Sequence, residues 1–438
     1  MSETPADTVS ETVYSALYDD DEARVCKDVP ESACQHQPRN WVFSTLSLSL
    51  TKTGDALVDP KLTLTWLLGA LGAPAFLIGL LAPVREAGAL LPQLFIAAGI
   101  RQREKRKYVW AFGSLGQALA LVIMGVIALS LEGALAGWLL VGMVAVFAVS
   151  RSLCSVSHKD VLGKTVSKTR RGAVSGYATT VSGLVALLLG GVLVVSPDTS
   201  APIIAGLLFL GAALWVIAAL VYLQLAEAPG STEGGANAFP EAIRQLRLLW
   251  TDPDFGKFVA ARTLMIATSI APPFLVSAAQ ARTGAELAGL GGFLMASAGA
   301  GFVSGWAWGR LADRSSRWVL AAGGLAGAVA CLASGASLLM QAPWAELMVF
   351  HAAILFILAF GHQGVRLGRS TYLVDLADED TRASYTAVSN TVIGVLLLVY
   401  GLVMGGLYQL AGPWVMIGLA LSALAGAGLA VSLKPVSG

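Results

Sequence analysis

The sequence predicts an all-α polytopic membrane protein with twelve spans. Composition, the length of the apolar runs and the distribution of basic residues predict it together. Of 438 residues, 55% are hydrophobic and 13% charged, whereas soluble chains run near ~25% charged. So few polar groups cannot cover a soluble surface. The apolar residues gather into runs of roughly 20, the length that crosses a bilayer core as a helix. Backbone polar groups in lipid must be satisfied internally, which favours helices. The runs are solidly apolar, as in LGQALALVIMGVIALSL and AGWLLVGMVAVFAVS, where a transmembrane barrel would alternate.

The segments fall near 41–70, 75–100, 108–131, 134–156, 172–195, 201–226, 256–281, 286–308, 318–340, 345–366, 386–410 and 413–433. Residues 1–40 form an acidic tail without an apolar signal core, so the first segment is expected to direct insertion. Cys26, Cys34 and His36 lie in that tail, and their spacing matches no standard zinc pattern. Cys154 and Cys331 lie in or beside apolar helices and read as packing residues. Residues 41–226 form the first six-segment bundle and 256–433 the second. Between them, 227–255 opens with the linker EAPGSTEGGANAFP. It continues as EAIRQLRLLW, whose apolar residues Ile243, Leu246 and Leu249 or Trp250 fit a short amphipathic surface helix. A short tail, 434–438, ends the chain.

Basic residues alternate by side. The loop after segment 2 carries Arg101, Arg103, Lys105, Arg106 and Lys107; that after segment 4 carries Lys159, Lys164, Lys168, Arg170 and Arg171. Arg244, Arg247 and Lys257 follow segment 6, Arg310, Arg314 and Arg317 follow segment 8, and Arg366, Arg369 and Arg382 follow segment 10. The odd-numbered loops carry Arg282. The positive-inside rule therefore puts the even loops and both termini in the cytoplasm. A repeat reinforces the count. Arg171 and Gly183 are spaced as Arg382 and Gly394 are, 211 residues later, and Gly99 with its basic loop maps onto Gly309 with its own, within a residue of that offset. Copies on the same side make the halves parallel repeats.

The segment Gly309-Arg310-Leu311-Ala312-Asp313-Arg314-Ser315-Ser316-Arg317 closely resembles the loop signature of the major facilitator superfamily. In that family it recurs between helices 2 and 3 and between helices 8 and 9. The resemblance implies two six-helix bundles around a central cavity, and alternating access by rocking. Gly309, Asp313, Arg314 and Arg317 would then act as a conformational latch, with Asp313 meeting a helix N-terminus or a neighbouring arginine; the alternative is a basic loop without a latch. The first-half copy departs from the pattern: Gly99 is followed by IRQREKRK, so Arg103 stands in place of the aspartate. Segment 5 also lacks the glycine-proline turn of the family's drug-proton antiporters.

Ionisable residues at bilayer depth face partners or water-filled cavities. Lys52, Asp55 and Asp59 share one face of segment 1, where Lys52 can pair with Asp55. Arg85 and Glu86 are adjacent on segment 2 and cannot point the same way. Segment 7 carries Arg262. By the resemblance, helices 1 and 7 line the cavity, which would set Lys52, Asp55 and Arg262 face to face. Lys52, Arg85 and Arg262 are the candidate substrate-binding cations, and Asp55, Asp59 and Glu86 the candidate proton carriers. Structural alternatives stay open: Asp59-Pro60-Lys61 as the outer end of helix 1, Arg262 snorkelling to the surface, and Arg85 and Glu86 as stabilising pairs. His351 and His362 read as packing residues, and Trp41, Trp138, Trp344 and Trp414 as interface anchors. Tyr372 and Asp375 belong to the polar stretch after segment 10.

The sequence shows no Walker loop, zinc-protease helix or dinucleotide fingerprint. The expectation is a non-enzymatic secondary transporter of the inner membrane that needs no cofactor. It would move a small polar or anionic solute with a proton as co-substrate, in contact with lipid and not with nucleic acid. A lipid transporter, or a membrane sensor or assembly factor on the same fold, is the alternative.

Overall fold

The computed structural model describes residues 5–18, 34–195, 201–230, 232, 245–283, 287–312, 314–377 and 382–436. Helix α1 (Pro5–Leu17) precedes the membrane segments. Segment 1 is α2 (Gln37–Leu57) and α3 (Thr63–Ala70). Segment 2 is a 3-10 turn (Ala75–Leu77), α4 (Ile78–Leu90) and α5 (Gln93–Arg101). Then come α6 (Lys107–Ser130), α7 (Gly133–Thr165), α8 (Lys168–Val194) and α9 (Ala201–Leu223). Segment 7 is α10 (Pro253–Leu264) and α11 (Ile266–Thr283). Helices α12 (Leu287–Ala312), α13 (Ser316–Leu339), α14 (Met348–Leu376), α15 (Arg382–Ala411) and α16 (Trp414–Val431) complete the chain. Among the described residues ten spans are long and apolar enough to cross a membrane. They correspond to segments 3 to 12; segments 1 and 2 are each assembled from shorter helices.

The break in segment 1 has a local cause. Pro60 offers no N–H to continue a helix, and the freed groups find partners nearby. The Lys61 N–H donates to Asp59 Oδ1 at 2.7 Å and Thr65 Oγ1 donates to the Pro60 carbonyl at 2.9 Å. Asp59-Pro60-Lys61 is thus an internal unwinding with α3 beyond it, and not the outer end of the helix. In segment 7 the helical run pauses at Met265 and α11 carries Pro272 and Pro273.

Helices α7, α8 and α14 run longer than the apolar pattern predicts, to Thr165, from Lys168 and to Leu376. Lys159, Lys164, Arg366 and Arg369, read from the sequence as loop residues, therefore lie on helices. Hydropathy underestimates a helix whose end faces water or a polar cavity. In EAIRQLRLLW the described residues include the short helix Leu248–Thr251, on which Trp250 is exposed. Residues 241–244, with Ile243 and Arg244, lie outside the described residues, as do Cys26 and Asp313. Cys34 is disulfide-bonded, whereas Cys154 and Cys331 are buried free thiols.

The packing repeats with a shift of six segments. Segment 3 packs on 4 and 6 as segment 9 packs on 10 and 12; segment 1 packs on 5 and 6 as 7 packs on 11 and 12; and 2 packs on 4 as 8 does on 10. Between the halves, 5 meets 8, 2 meets 11 and 1 meets 7. These meetings are close in the layer away from the termini. A Cβ on Gly79 would fall 2.5 Å from Gly405 Cα, and one on Gly291 2.5 Å from the Gly190 carbonyl. The Gln280 amide donates to the Trp66 carbonyl at 3.2 Å, joining segments 7 and 1. Toward the termini the space around Gly176 and Gly183 on α8 and around Gly305 and Gly309 on α12 is open. The close backbone contacts between the halves therefore lie in the layer away from the termini.

Candidate functional site

Asp55, one turn before the end of α2, is the hub of the first half. Its Oδ1 accepts from Arg85 Nη2 of α4 at 2.9 Å, and its Oδ2 accepts from Arg151 Nη1 of α7. The three side chains are 21%, 15% and 32% exposed, so the clasp borders the cavity and is partly hydrated. Arg85 also lies 5.0 Å from the Phe147 ring, which fixes its plane. Arg151 is the functional candidate that sequence reading overlooked. It interrupts the apolar run of segment 4 far enough from the basic loop to have been noticed as an intramembrane charge.

Lys52 does not pair with Asp55. Its Nζ donates to the Ser175 carbonyl at 3.1 Å and to Thr179 Oγ1, both on α8. Two arginines from other helices hold the Asp55 carboxylate instead. Glu86 points away from its neighbour Arg85, as adjacent helical positions must. It meets Lys61 Nζ at 3.4 Å, and its side chain is 42% exposed to the cavity. Lys61 in turn donates to Ser269 Oγ of α11 at 3.2 Å. The unwound stretch of segment 1 thus sends a lysine across to the second half, which a continuous helix would not do.

Among the described residues the second half contributes cations that pair with no carboxylate. Arg262 is 7% exposed and does not snorkel. It donates to Ser389 Oγ at 2.5 Å and Asn390 Oδ1 at 3.0 Å on α15, and so faces segment 11, not Lys52 and Asp55. On α14, His362, Arg366 and Arg369 recur at helical spacing on one face. His362 Nδ1 sits 3.1 Å from Thr268 Oγ1 of α11, which turns that face inward. Arg369 lies within electrostatic reach of Glu86 and Arg262, and Arg366 within reach of Lys52 across the cavity. Neither Arg366 nor Arg369 makes a hydrogen bond or ion pair among the described residues. His351 is a buried packing residue at 2.8 Å from the Ala345 carbonyl.

At the face that bears the termini, Glu227 is fully buried. It accepts the Arg106 N–H at 2.9 Å and the Lys107 N–H at 2.8 Å, capping the start of α6. Lys164 reaches both Glu227 at 3.4 Å and Asp160 at 2.8 Å, and Arg106 closes the ring on Asp160. In the second half, Arg317 donates to the Leu433 carbonyl at 3.1 Å and Ser316 to Asp375 at 3.4 Å.

Residues 45–396 match the Major Facilitator Superfamily. The chain belongs to that superfamily. It is a transporter and not an enzyme, as the absence of enzyme motifs led one to expect. Among solved structures it resembles a mutant of the nucleoside transporter NupG, with 13% identity, TM-score 0.66, and coverage of 90% of this chain and 97% of that one. It also resembles a mutant of the peptide transporter POT (11%, 0.67, 95% and 98%) and a D-xylose-proton symporter (13%, 0.64, 91% and 98%). At such identities the likeness is one of fold. No match was found among curated proteins.

In this major facilitator fold the buried Glu227 carboxylate holds the start of α6, at the end of the loop in which Arg103 stands in place of the expected aspartate. That carboxylate comes from the linker after α9 and not from the loop itself, so spacing within the loop could not reveal it. A Cβ on Gly309 would meet nothing within 4 Å, and Arg310 lies 4.2 Å over the Trp306 ring.

Proposed function

We propose that this chain moves a small anionic solute by alternating access, coupled to a proton. The observation that carries the anion reading is the face of α14. Among the described residues Arg366 and Arg369 pair with no carboxylate of their own half, while Asp55 is already shared between Arg85 and Arg151. Unopposed guanidinium groups in a cavity attract and orient an anion through charge-assisted hydrogen bonds. Lys52, Arg85 and Arg262 stay in the proposal as framing cations. The strong charges argue against a lipid-tail path.

Glu86 is the proposed proton carrier. It holds a single cationic partner by an ion pair, is open to the cavity, and sits beside the Lys61–Ser269 link between the halves. Protonation would release Lys61 and loosen that link. Asp55, clasped twice, and Asp59, turned onto its own backbone, serve better as fixed framework. A D-xylose-proton symporter among the similar structures supports proton coupling as chemistry this fold sustains. The basic faces of the even loops support cytoplasmic termini in an inner membrane. The packing of segments supports rocking of bundle 41–226 against bundle 256–433, with Gly309, Asp313, Arg314 and Arg317 as the latch of the alternate state.

The test is uptake of radiolabelled organic anions into proteoliposomes with and without a proton gradient. Wild type is expected to accumulate its anion with the gradient. Glu86→Gln is expected to lose accumulation yet retain exchange of anion for anion. Gradient-driven accumulation that survives Glu86→Gln would remove this carboxylate from the coupling.

A further inference from the structure

We infer that the anionic group recognised on α14 is a dianionic phosphoryl group, as in a phosphate monoester or phosphonate. The inference rests on the anion-transport reading above and names the chemistry of its substrate. Arg366 and Arg369 are one helical turn apart, with Cβ atoms about 5–6 Å from each other. Side chains rooted that close can both reach one compact group. A carboxylate can be shared by two guanidinium groups, as Asp55 is by Arg85 and Arg151, but it brings one negative charge to two cations. A phosphoryl group presents three oxygens around a tetrahedral centre and accepts from both forks at once.

Charge points the same way. Among the described side chains packed against this face, Thr268 holds His362, Ser389 and Asn390 hold Arg262, and none of these partners is an acid. Glu86 across the cavity is already engaged by Lys61. A monoanion would neutralise one arginine and leave a net charge in a partly dehydrated cavity, whereas a dianion offsets both. Lys52, held toward the cavity by Ser175 and Thr179 and within electrostatic reach of Arg366, supplies a further N–H donor from the first half. Contact with both halves is what a translocated group requires, because a ligand shifts the equilibrium only through contacts that differ between states. The Asp55 clasp shows that two arginines from separate helices already share one oxyanion on the neighbouring wall.

The experiment is thermal stabilisation of the purified full chain in detergent by inorganic phosphate, methylphosphonate, glycerol phosphate, acetate and succinate. Lysophosphatidate serves as the lipid-borne phosphoryl probe. A ligand that binds the folded state alone raises apparent stability by mass action. The expected result is stabilisation by the phosphoryl compounds and not by the carboxylates. Apparent affinity is expected to fall about tenfold or more in Arg366→Ala and in Arg369→Ala, the scale of losing a charge-assisted bond, with partial recovery in Arg369→Lys. Each variant's melting temperature without ligand controls for folding. Stabilisation by lysophosphatidate alone would support the phosphoryl assignment and place its source in a lipid headgroup. Equal or better stabilisation by acetate or succinate would overturn the phosphoryl assignment while leaving anion transport standing. Wild-type affinity in both alanine variants would overturn the site. Failure of every anion tried would overturn both readings.

Discussion

Asp55 shows how one residue can organise a transporter wall. Its carboxylate joins segments 1, 2 and 4 through Arg85 and Arg151. Removing the charge leaves two guanidinium groups facing each other in a partly dehydrated cavity. Loss of one partner of a fully buried pair costs about 3–5 kcal/mol. Partial hydration reduces that, so Asp55→Asn is expected to destabilise by about 2 kcal/mol, since exposed pairs contribute little. Chemical denaturation in mixed micelles would measure it. The double variant Asp55→Asn with Arg151→Gln is expected to recover part of the loss, because one cation fewer is then left unopposed. A single variant as stable as wild type would show that the clasp is already dissolved by water. Asp55, Arg85 and Glu86 were legible in the sequence as intramembrane charges. Their pairing was not, because adjacent positions on a helix predict direction and say nothing about which helix lies opposite.

At the scale of elements, helix starts and breaks decide where polar groups go. Helix α10 begins at Asp252, whose Oδ1 accepts the N–H groups of Asp254 and Phe255 at 3.0 and 3.1 Å and whose Oδ2 accepts from Tyr385 of α15. Burial raises this carboxyl, and the hydrogen bonds from Tyr385 and the two amides outweigh it, holding the group below the usual carboxylate range. A depressed folded-state value means that the stabilisation is complete above the unfolded value near ~3.9 and disappears as pH falls through the folded one. Asp252→Ala is therefore expected to cost about 1 kcal/mol near neutrality, as loss of an N-cap does. The gap in melting temperature from wild type should stay constant from neutral to mildly acidic pH and close at strongly acidic pH. A gap insensitive to acid would mean that the cap works without its charge. The break at Pro60 was visible as a residue, but its place inside the membrane depends on α3 being packed beyond it. Trp41 carries the same lesson. The sequence reads it as an interface anchor, yet it is 2% exposed, enclosed by Tyr14, Tyr18 and Tyr177. Trp138, Trp344 and Trp414, also at segment ends, are exposed as anchors should be. What distinguishes Trp41 is α1, which docks on α2 through Arg39 and Asp7 at 3.0 Å.

For the whole molecule, the conformation is set by small residues in the sealed layer. Gly79 and Gly405 let segments 2 and 11 touch backbone to backbone, and Pro83 seats on Gly401. A side chain at Gly79 has nowhere to go, since backbone cannot yield as a flexible side chain can. Gly79→Val is expected to part the sealed layer and shift the population toward states open on the face away from the termini. Reactivity of Gln280→Cys toward an impermeant maleimide added from that face should rise several-fold when Gly79→Val is introduced. Unchanged reactivity would mean that the seal does not depend on the Gly79–Gly405 contact. The sequence by itself determined the all-α membrane class, the order of apolar segments and the repeat, because bilayer thickness and the cost of buried charge act on local composition. Only the tertiary structure decided which charges meet. It brought Arg151 to Asp55, turned Lys61 toward the other half, diverted Arg262 to α15 and set Arg366 and Arg369 on α14. The physical reason is that a helix fixes the direction of a side chain relative to its own axis, while the partner is fixed by how the axes pack.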